Sequence, residues 1–333
     1  MTLSANAQAV RAAAAGRTYG LMYLAFATLA YTDESAKEIH QVVADLQGDI
    51  AALEPPPLPG VTGAWGTWSL DWGPALFNID ENLMYVASFR ETGSEDPVLT
   101  VLSIRGTDTT ASFGEVLGEV FEDVRDWTHV KWSRASGDGS FDCLPDLDPF
   151  DSSVPKIATG TCEGLQRLRK MSPVAPGIGS GTAQAYLQSL LAKDPALPIV
   201  VTGHSLGGCQ ATVMAMYLAD VLPAGTRILP NPFAPPTAGN AAFAKMYDAR
   251  FPQGNVWWNT LDLVPNAFAK GDAATPGNLR FAEGLWQDHG GAGNTAFADT
   301  IKVLIGTLPE YQQPTAGEAR LTGQAATTAF LDS

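Results

Sequence analysis

Serine, aspartate and histidine are the side chains that together turn a hydroxyl into a nucleophile, and Gly203-His204-Ser205-Leu206-Gly207 sets a serine between glycines. A serine attacks a carbonyl carbon when a base takes its proton, an acid orients that base, and N–H donors receive the oxyanion. In a chain with 33 glycines, G-x-S-x-G alone is a modest signal. Its flanks sharpen it. LPIVVTG (197–203) is a continuous apolar run, suited to a strand buried on both faces, and an Ala/Met/Leu stretch of helical character follows at once. Strand, tight turn and helix are what a nucleophile elbow requires, with the serine oxygen held beside a helix N-terminus.

The acid and base must then be found downstream. Asp220, Asp248, Asp262, Asp272, Glu283, Asp288 and Asp299 all follow the serine. Of these, Asp262 stands just beyond a clear strand, VWWNT, and before a chain-turning Val-Pro. That predicts a place at the carboxyl edge of a parallel sheet, where active sites of α/β proteins form. The chain has four histidines. His204 adjoins the serine, and neighbours on such an elbow project apart, so it reads as a packing residue. His40 falls in an N-terminal helical region and His129 follows an amphipathic stretch. His289, in LWQDHGGAGN, comes after Asp262.

These residues need a scaffold. Residues 1–50 read as two helices, with LMYLAFATLAY (21–31) as a buried helix too short to span a membrane, and EPPPLPG (54–60) as a stiff linker. Short strands are predicted between Trp65 and Phe89, and MYVASF (84–89) pairs with VLTVLSI (98–104) around a polar turn. In TASFGEVLGEVFEDVRDW (110–127) the apolar residues recur at helical spacing, with Glu115, Glu119, Glu122 and Asp126 on the other face. Residues 134–160 form a Gly/Asp/Pro/Ser-rich loop insertion. Helices near 163–171 and 182–193 precede the elbow; ILPNPF, a helix at 241–250 and VWWNT follow it. YQQPTAGEARLTG reads as a late strand and loop, and AATTAFLDS as the beginning of one more helix. The alternation predicts one α/β domain over 1–333, with a mostly parallel central sheet flanked by helices.

Composition narrows the partners. Hydrophobic residues make up 45% and charged residues 17%, a globular balance. With 20 Lys plus Arg against 35 Asp plus Glu, the net charge of −15 argues against nucleic acid or an anionic bilayer. No transmembrane segment and no secretory signal pattern is read, which leaves both a cytoplasmic and a processed, secreted location open. Three cysteines make no disulfide framework, although Cys143 and Cys162 bracket the insertion and could form a single bridge. The acidic loop SGDGSFDCLPDLDPFDSS lacks the alternating oxygen ligands of a calcium loop, and no Cys/His cluster suggests zinc. Neither a metal nor a cofactor is expected.

Four ordered segments carry a resemblance: RGT (105–107), GHSLGG (203–208), FAPPTAGNAAFA (233–244) and NTLDLVP (259–265). Over roughly residues 80 to 270 the chain resembles the class 3, fungal-type lipases of the α/β-hydrolase fold. The resemblance implies Ser205 as nucleophile, Asp262 as acid, and an oxyanion hole from the Leu206 N–H with Thr107. It implies a lipid ester as substrate, a triacylglycerol or other acylglycerol first, with phospholipase A1 or a feruloyl-type esterase as rivals. A non-catalytic relative that binds a lipid or a protein is the further alternative. Residues 108–128 fall where these lipases place a lid; a helix permanently packed on the core is the competing reading. The chain departs from the family pattern in having Ala234 where the family has glycine. It also departs at the base: His289 is only 27 residues past Asp262 and no H-x-x-Y follows. The base is therefore either His289 or a histidine beyond Ser333.

Overall fold

The computed structural model describes residues 3–31, 38–61, 65–77, 82–106, 129–133, 135, 141–143, 146, 148, 151–259, 262, 264–265, 312–314 and 318–321. The expectations for Thr107, the 108–128 segment, His289 and the final AATTAFLDS stretch lie outside these residues.

Among the described residues the strands are β1 (Gly66–Phe77), β2 (Asn82–Glu91), β3 (Pro97–Ile104), β4 (His129–Lys131), β5 (Lys156–Ala158), β6 (Pro173–Ile178), β7 (Ile199–His204), β8 (Ile228–Phe233), β9 (Val256–Asn259) and β10 (Glu318–Leu321). Eight of them form one sheet, in the order β10-β9-β8-β7-β3-β2-β1-β6. The ladder is parallel from β3 through β7, β8 and β9 to β10, and antiparallel from β3 through β2 and β1 to β6. The carboxyl ends of β3, β7, β8, β9 and β10 therefore open on one edge. β4 and β5 pair separately.

Helices cover both faces. α1 (Ala5–Ala13), α2 (Gly20–Leu29) and α3 (Ile39–Ala51) pack with Leu99, Val101 and Val200 on one face. α4 (Thr159–Leu168), α5 (Ala183–Lys193), α6 (Leu206–Val221) and α7 (Ala241–Arg250) pack with Leu102, Ile199 and Val201 on the other. Alternate side chains of β3 and β7 thus feed two cores, which is why both strands read as unbroken apolar runs. α6 is buried along nearly its whole length, which explains its lack of a polar stripe.

The N-terminal region corrects the sequence reading. Three helices and a 3-10 turn (Arg17–Tyr19) occupy the described part of residues 1–51, where two helices were expected. Ser4 caps α1 by accepting the Ala7 N–H at 3.0 Å, Gly16 interrupts the Ala-rich run, and Glu38 with Gln41 makes a capping box for α3. These local polar signals override the apolar continuity that suggested fewer, longer helices. α4 likewise begins at Thr159, four residues ahead of its expected start. The stretch after Trp65 is one long strand with register shifts near Trp72 in place of short ones. Among the described residues no helix is long and apolar enough to cross a membrane.

β8 carries two prolines inside the sheet, at positions where a ladder N–H is normally needed. Register explains them. The Asn231 carbonyl faces β7, where it accepts from Thr202 Oγ1 at 2.9 Å, while the Pro230 carbonyl faces β9 and accepts the Asn255 N–H. Pro230 and Pro232 thus turn toward β9, and β8 pairs with that strand only at Phe233 and Trp257. Asn231 Oδ1 fills part of that gap, accepting from Trp257 Nε1 at 3.1 Å and Asn255 Nδ2 at 3.3 Å.

Candidate active site

Ser205 occupies the turn between β7 and α6 with φ 55° and ψ −127°, a backbone region that L side chains rarely hold. The strain persists because the surroundings leave the turn no alternative. The Ser205 N–H donates to the Phe233 carbonyl at 3.0 Å, tying the turn to β8, and the Ser205 carbonyl accepts from Gly208 and Cys209 as α6 begins. The flanking glycines are steric necessities. A Cβ on Gly203 would lie 2.4 Å from the Gly207 oxygen, and one on Gly207 would lie 2.3 Å from the Ile104 oxygen. The G-x-S-x-G pattern is therefore backbone pressed on backbone, between the turn and the end of β3.

Leu206 opens α6, so its N–H is among the first-turn donors that have no acceptor within the helix. Those donors and the helix dipole favour negative charge next to Ser205. His204, expected as a packing residue, is exposed rather than buried in the core. Tyr31, at the end of α2, donates its hydroxyl to the His204 carbonyl at 2.9 Å and sets its ring edge-on to the imidazole. Tyr31 braces the elbow from the N-terminal layer, a role no motif in its own stretch announces.

Asp262 lies three residues past the end of β9, on the edge where Ser205 emerges from β7. Its N–H donates to the Asn259 carbonyl at 3.0 Å, and its Oδ1 accepts the Val264 N–H at 3.0 Å. The carboxyl is thus locked in an Asx-type turn that points the chain into Pro265. Burial raises its pKa, and the Val264 N–H offsets only part of that rise. A carboxylate in such a setting is best held ionised by a cation forming beside it. Of the expected site residues, the structure brings Ser205, Leu206 and Asp262 to one edge; Thr107 and His289 are outside the described residues.

The segment after β8 shows what FAPPTAGN does. Ala234 follows the strand at φ 44°, a second left-handed residue next to the elbow. Gly239 lets β5 approach: a Cβ there would meet the Lys156 oxygen at 2.3 Å. Asn240 caps α7, its Oδ1 accepting the N–H groups of Phe243 and Lys156, each at 3.0 Å. Phe243 then packs against Trp132, 5.4 Å between ring centres. Through these contacts the 134–160 loop docks on the start of α7. It is cross-linked by a Cys143–Cys162 disulfide, the bridge that the cysteine count left open. Within it Lys156, itself buried, pairs with Asp146 at 2.5 Å and donates to the Asp148 carbonyl at 2.6 Å.

Known proteins resemble the chain in sequence family and in fold. A family model described as lipase (class 3) matches residues 101–271, just over half of the chain. Among solved structures, M37 lipase superposes with a TM-score of 0.69 at 22% identity, covering 92% of this chain and 85% of that one. The lipase from Rhizopus microsporus var. chinensis gives a TM-score of 0.40 at 17% identity, over 80% of this chain and 70% of that one. A triacylglycerol lipase from Penicillium expansum gives 0.43 at 17% identity, over 79% and 75%. No curated protein sequence matches.

Proposed function

The chain belongs to the class 3 lipase family, and from that membership we propose that it hydrolyses neutral acylglycerol esters through an acyl-serine on Ser205, with residues 1–333 acting as one catalytic domain. One observation carries the reading: Ser205 sits at positive φ between a buried parallel strand and the N-terminus of a buried helix. A serine held in that strained conformation presents its Oγ at the sheet edge, beside first-turn N–H donors.

In the proposed mechanism Ser205 Oγ attacks the ester carbonyl as a histidine removes its proton. The carbonyl oxygen takes the negative charge and is met by the Leu206 N–H and by Thr107. The histidinium, oriented and stabilised by Asp262, then protonates the departing alcohol, and water repeats the sequence on the acyl-serine. Residues 108–128 are proposed as a lid over the acyl site, opening at a lipid surface. A surface as acidic as this one, with net charge −15, favours uncharged acylglycerols over anionic phospholipids.

The proton acceptor is proposed to be a histidine reaching the same edge, with His289 as the candidate that follows Asp262. His289→Ala tests it: loss of Ser205 phosphonylation assigns His289 as the base, and full reactivity excludes it.

The decisive experiment follows hydrolysis of a triacylglycerol emulsion, a phosphatidylcholine dispersion and a feruloyl ester. Ser205→Ala should lower turnover by roughly 10⁴-fold or more, and Thr107→Ala by roughly 10²-fold. Unchanged activity in Ser205→Ala would end the serine mechanism. Preference for phosphatidylcholine would shift the substrate to phospholipids.

A further inference from the structure

Gln313 lies in a stretch that no motif touches, yet it is 9% exposed. Its side-chain Nε2 donates to the Pro235 carbonyl at 2.8 Å and, at a longer 3.4 Å, to the Pro265 carbonyl. The two carbonyls belong to the two turns that frame the site. Pro235 lies in the turn after β8, whose Phe233 carbonyl receives the Ser205 N–H. Pro265 ends the turn that carries Asp262. The next residue back, Gln312, donates its N–H to the Gly239 carbonyl at 3.1 Å, so the segment is anchored on the β8 side and reaches across.

The reach matters because the strand on the acid side is short and shares little ladder with β8. β9 has four residues and is in register with β8 at a single pair, Phe233 with Trp257. Beyond its end, one primary amide with two N–H donors spans from the turn bound to the nucleophile to the turn bearing the acid. Both acceptors are carbonyls, so a side chain of the same length without donors could fill the space and still not hold them.

We propose that Gln313 is a positioning residue that fixes the Asp262 turn relative to the Ser205 elbow. It touches neither substrate nor reacting atoms and acts through Asp262. The proposal rests on the reading of Asp262 as the triad acid.

The test compares Gln313→Ala and Gln313→Met, the second keeping the side-chain length while removing both donors. Hydrolysis of a soluble short-chain ester gives kcat and KM, and the rate of Ser205 phosphonylation gives a readout that stays measurable when turnover is slow. Loss of alignment without loss of binding should lower kcat roughly tenfold and leave KM within about twofold. In an Asp262→Asn background, Gln313→Met should slow phosphonylation no further. A folded Gln313→Met with unchanged kcat overturns the proposal, as does a full additional loss on top of Asp262→Asn. Should Asp262→Asn alone keep full activity, the triad reading fails and this proposal fails with it. A crippled Asp262→Asn with additive Gln313→Met sinks the proposal alone.

Discussion

The elbow and the 134–160 loop are held in place by different means. At the elbow, backbone packs on backbone: Gly203, Gly207 and the end of β3 touch with no side chain between them, and the strained Ser205 is fixed by main-chain hydrogen bonds. Among the described residues of the loop, β5 pairs over three residues with β4, which lies just ahead of the loop in the chain. Side-chain cross-links supplement its few main-chain bonds: a disulfide to α4, a buried ion pair, and Asn240 at the start of α7. The contrast teaches that position is set here by different currencies. Close packing tolerates no added atom, whereas cross-links tolerate substitution nearby and fail when the link itself is cut.

The first half of that contrast breaks most violently at Gly207. A Cβ there would sit 2.3 Å from the Ile104 oxygen and 2.6 Å from the Gly106 nitrogen, and neither backbone atom can retreat without unpairing β3 from β7. Gly207→Ala should cost about 3 kcal/mol or more, at the upper end for overpacking. Urea denaturation measures it. A variant with wild-type stability would mean that the elbow has slack that the geometry denies.

Cutting a link tests the other half. The Cys143–Cys162 bridge closes a separation of 19 residues, and the doubly substituted Cys143→Ser, Cys162→Ser protein should lose about 3 kcal/mol. The informative part is where the loss appears. Amide protection should fall at Trp132 and Asp146, whose N–H groups bond to Pro155 and His129, while Ser205 phosphonylation continues. An equal loss of protection along α6 would show that the two regions are one cooperative unit.

The same contrast explains what the sequence reveals of this molecule. β7, the elbow and α6 are legible because their determinants are contiguous: an apolar run, small residues at fixed steps, an apolar helix. Asp262 is legible for the same reason, since strand and turn adjoin it. Cross-links leave no such trace. Two of three cysteines do not announce a bridge, and Lys156 in a polar stretch reads as a solvated lysine until its partner Asp146 folds against it. Gln313 is silent because its acceptors are 78 and 48 residues away in the chain. The division of the N-terminal helices is hidden because caps such as Ser4 and Glu38 weigh little in a pattern of apolar residues.

Acid sharpens the comparison without any mutation. Burial opposes ionisation of Asp146, but the hydrogen bond and charge of Lys156 and the Asp148 N–H outweigh it, so the carboxyl titrates below its ordinary 3.8. A depressed carboxylate stabilises the fold above its unfolded pKa and loses that contribution as pH falls through the folded value. Protection at Trp132 and Asp146, corrected for intrinsic exchange, should therefore drop below about pH 4 before protection along α6 does. If α6 opens first, the ion pair is not what holds the insertion.

The smallest expected effect lies between the two regions, at Ala234. Its φ of 44° puts an L side chain where glycine is at ease, although its N–H is well used by the Trp257 carbonyl at 2.7 Å. Ala234→Gly relieves a left-handed cost of about 1–2 kcal/mol and adds about 0.4–1 kcal/mol of unfolded-state entropy. The two oppose each other, and the net should be a stabilisation of a few tenths to about 1 kcal/mol. The urea midpoint should rise with an unchanged slope. Because Phe233 holds the Ser205 N–H one residue earlier, turnover should be unaffected if the elbow is fixed by packing alone. A fall in turnover alongside the gain in stability would show that the strained Ala234 turn also helps to set the serine, extending the close-packed region one turn beyond the glycines.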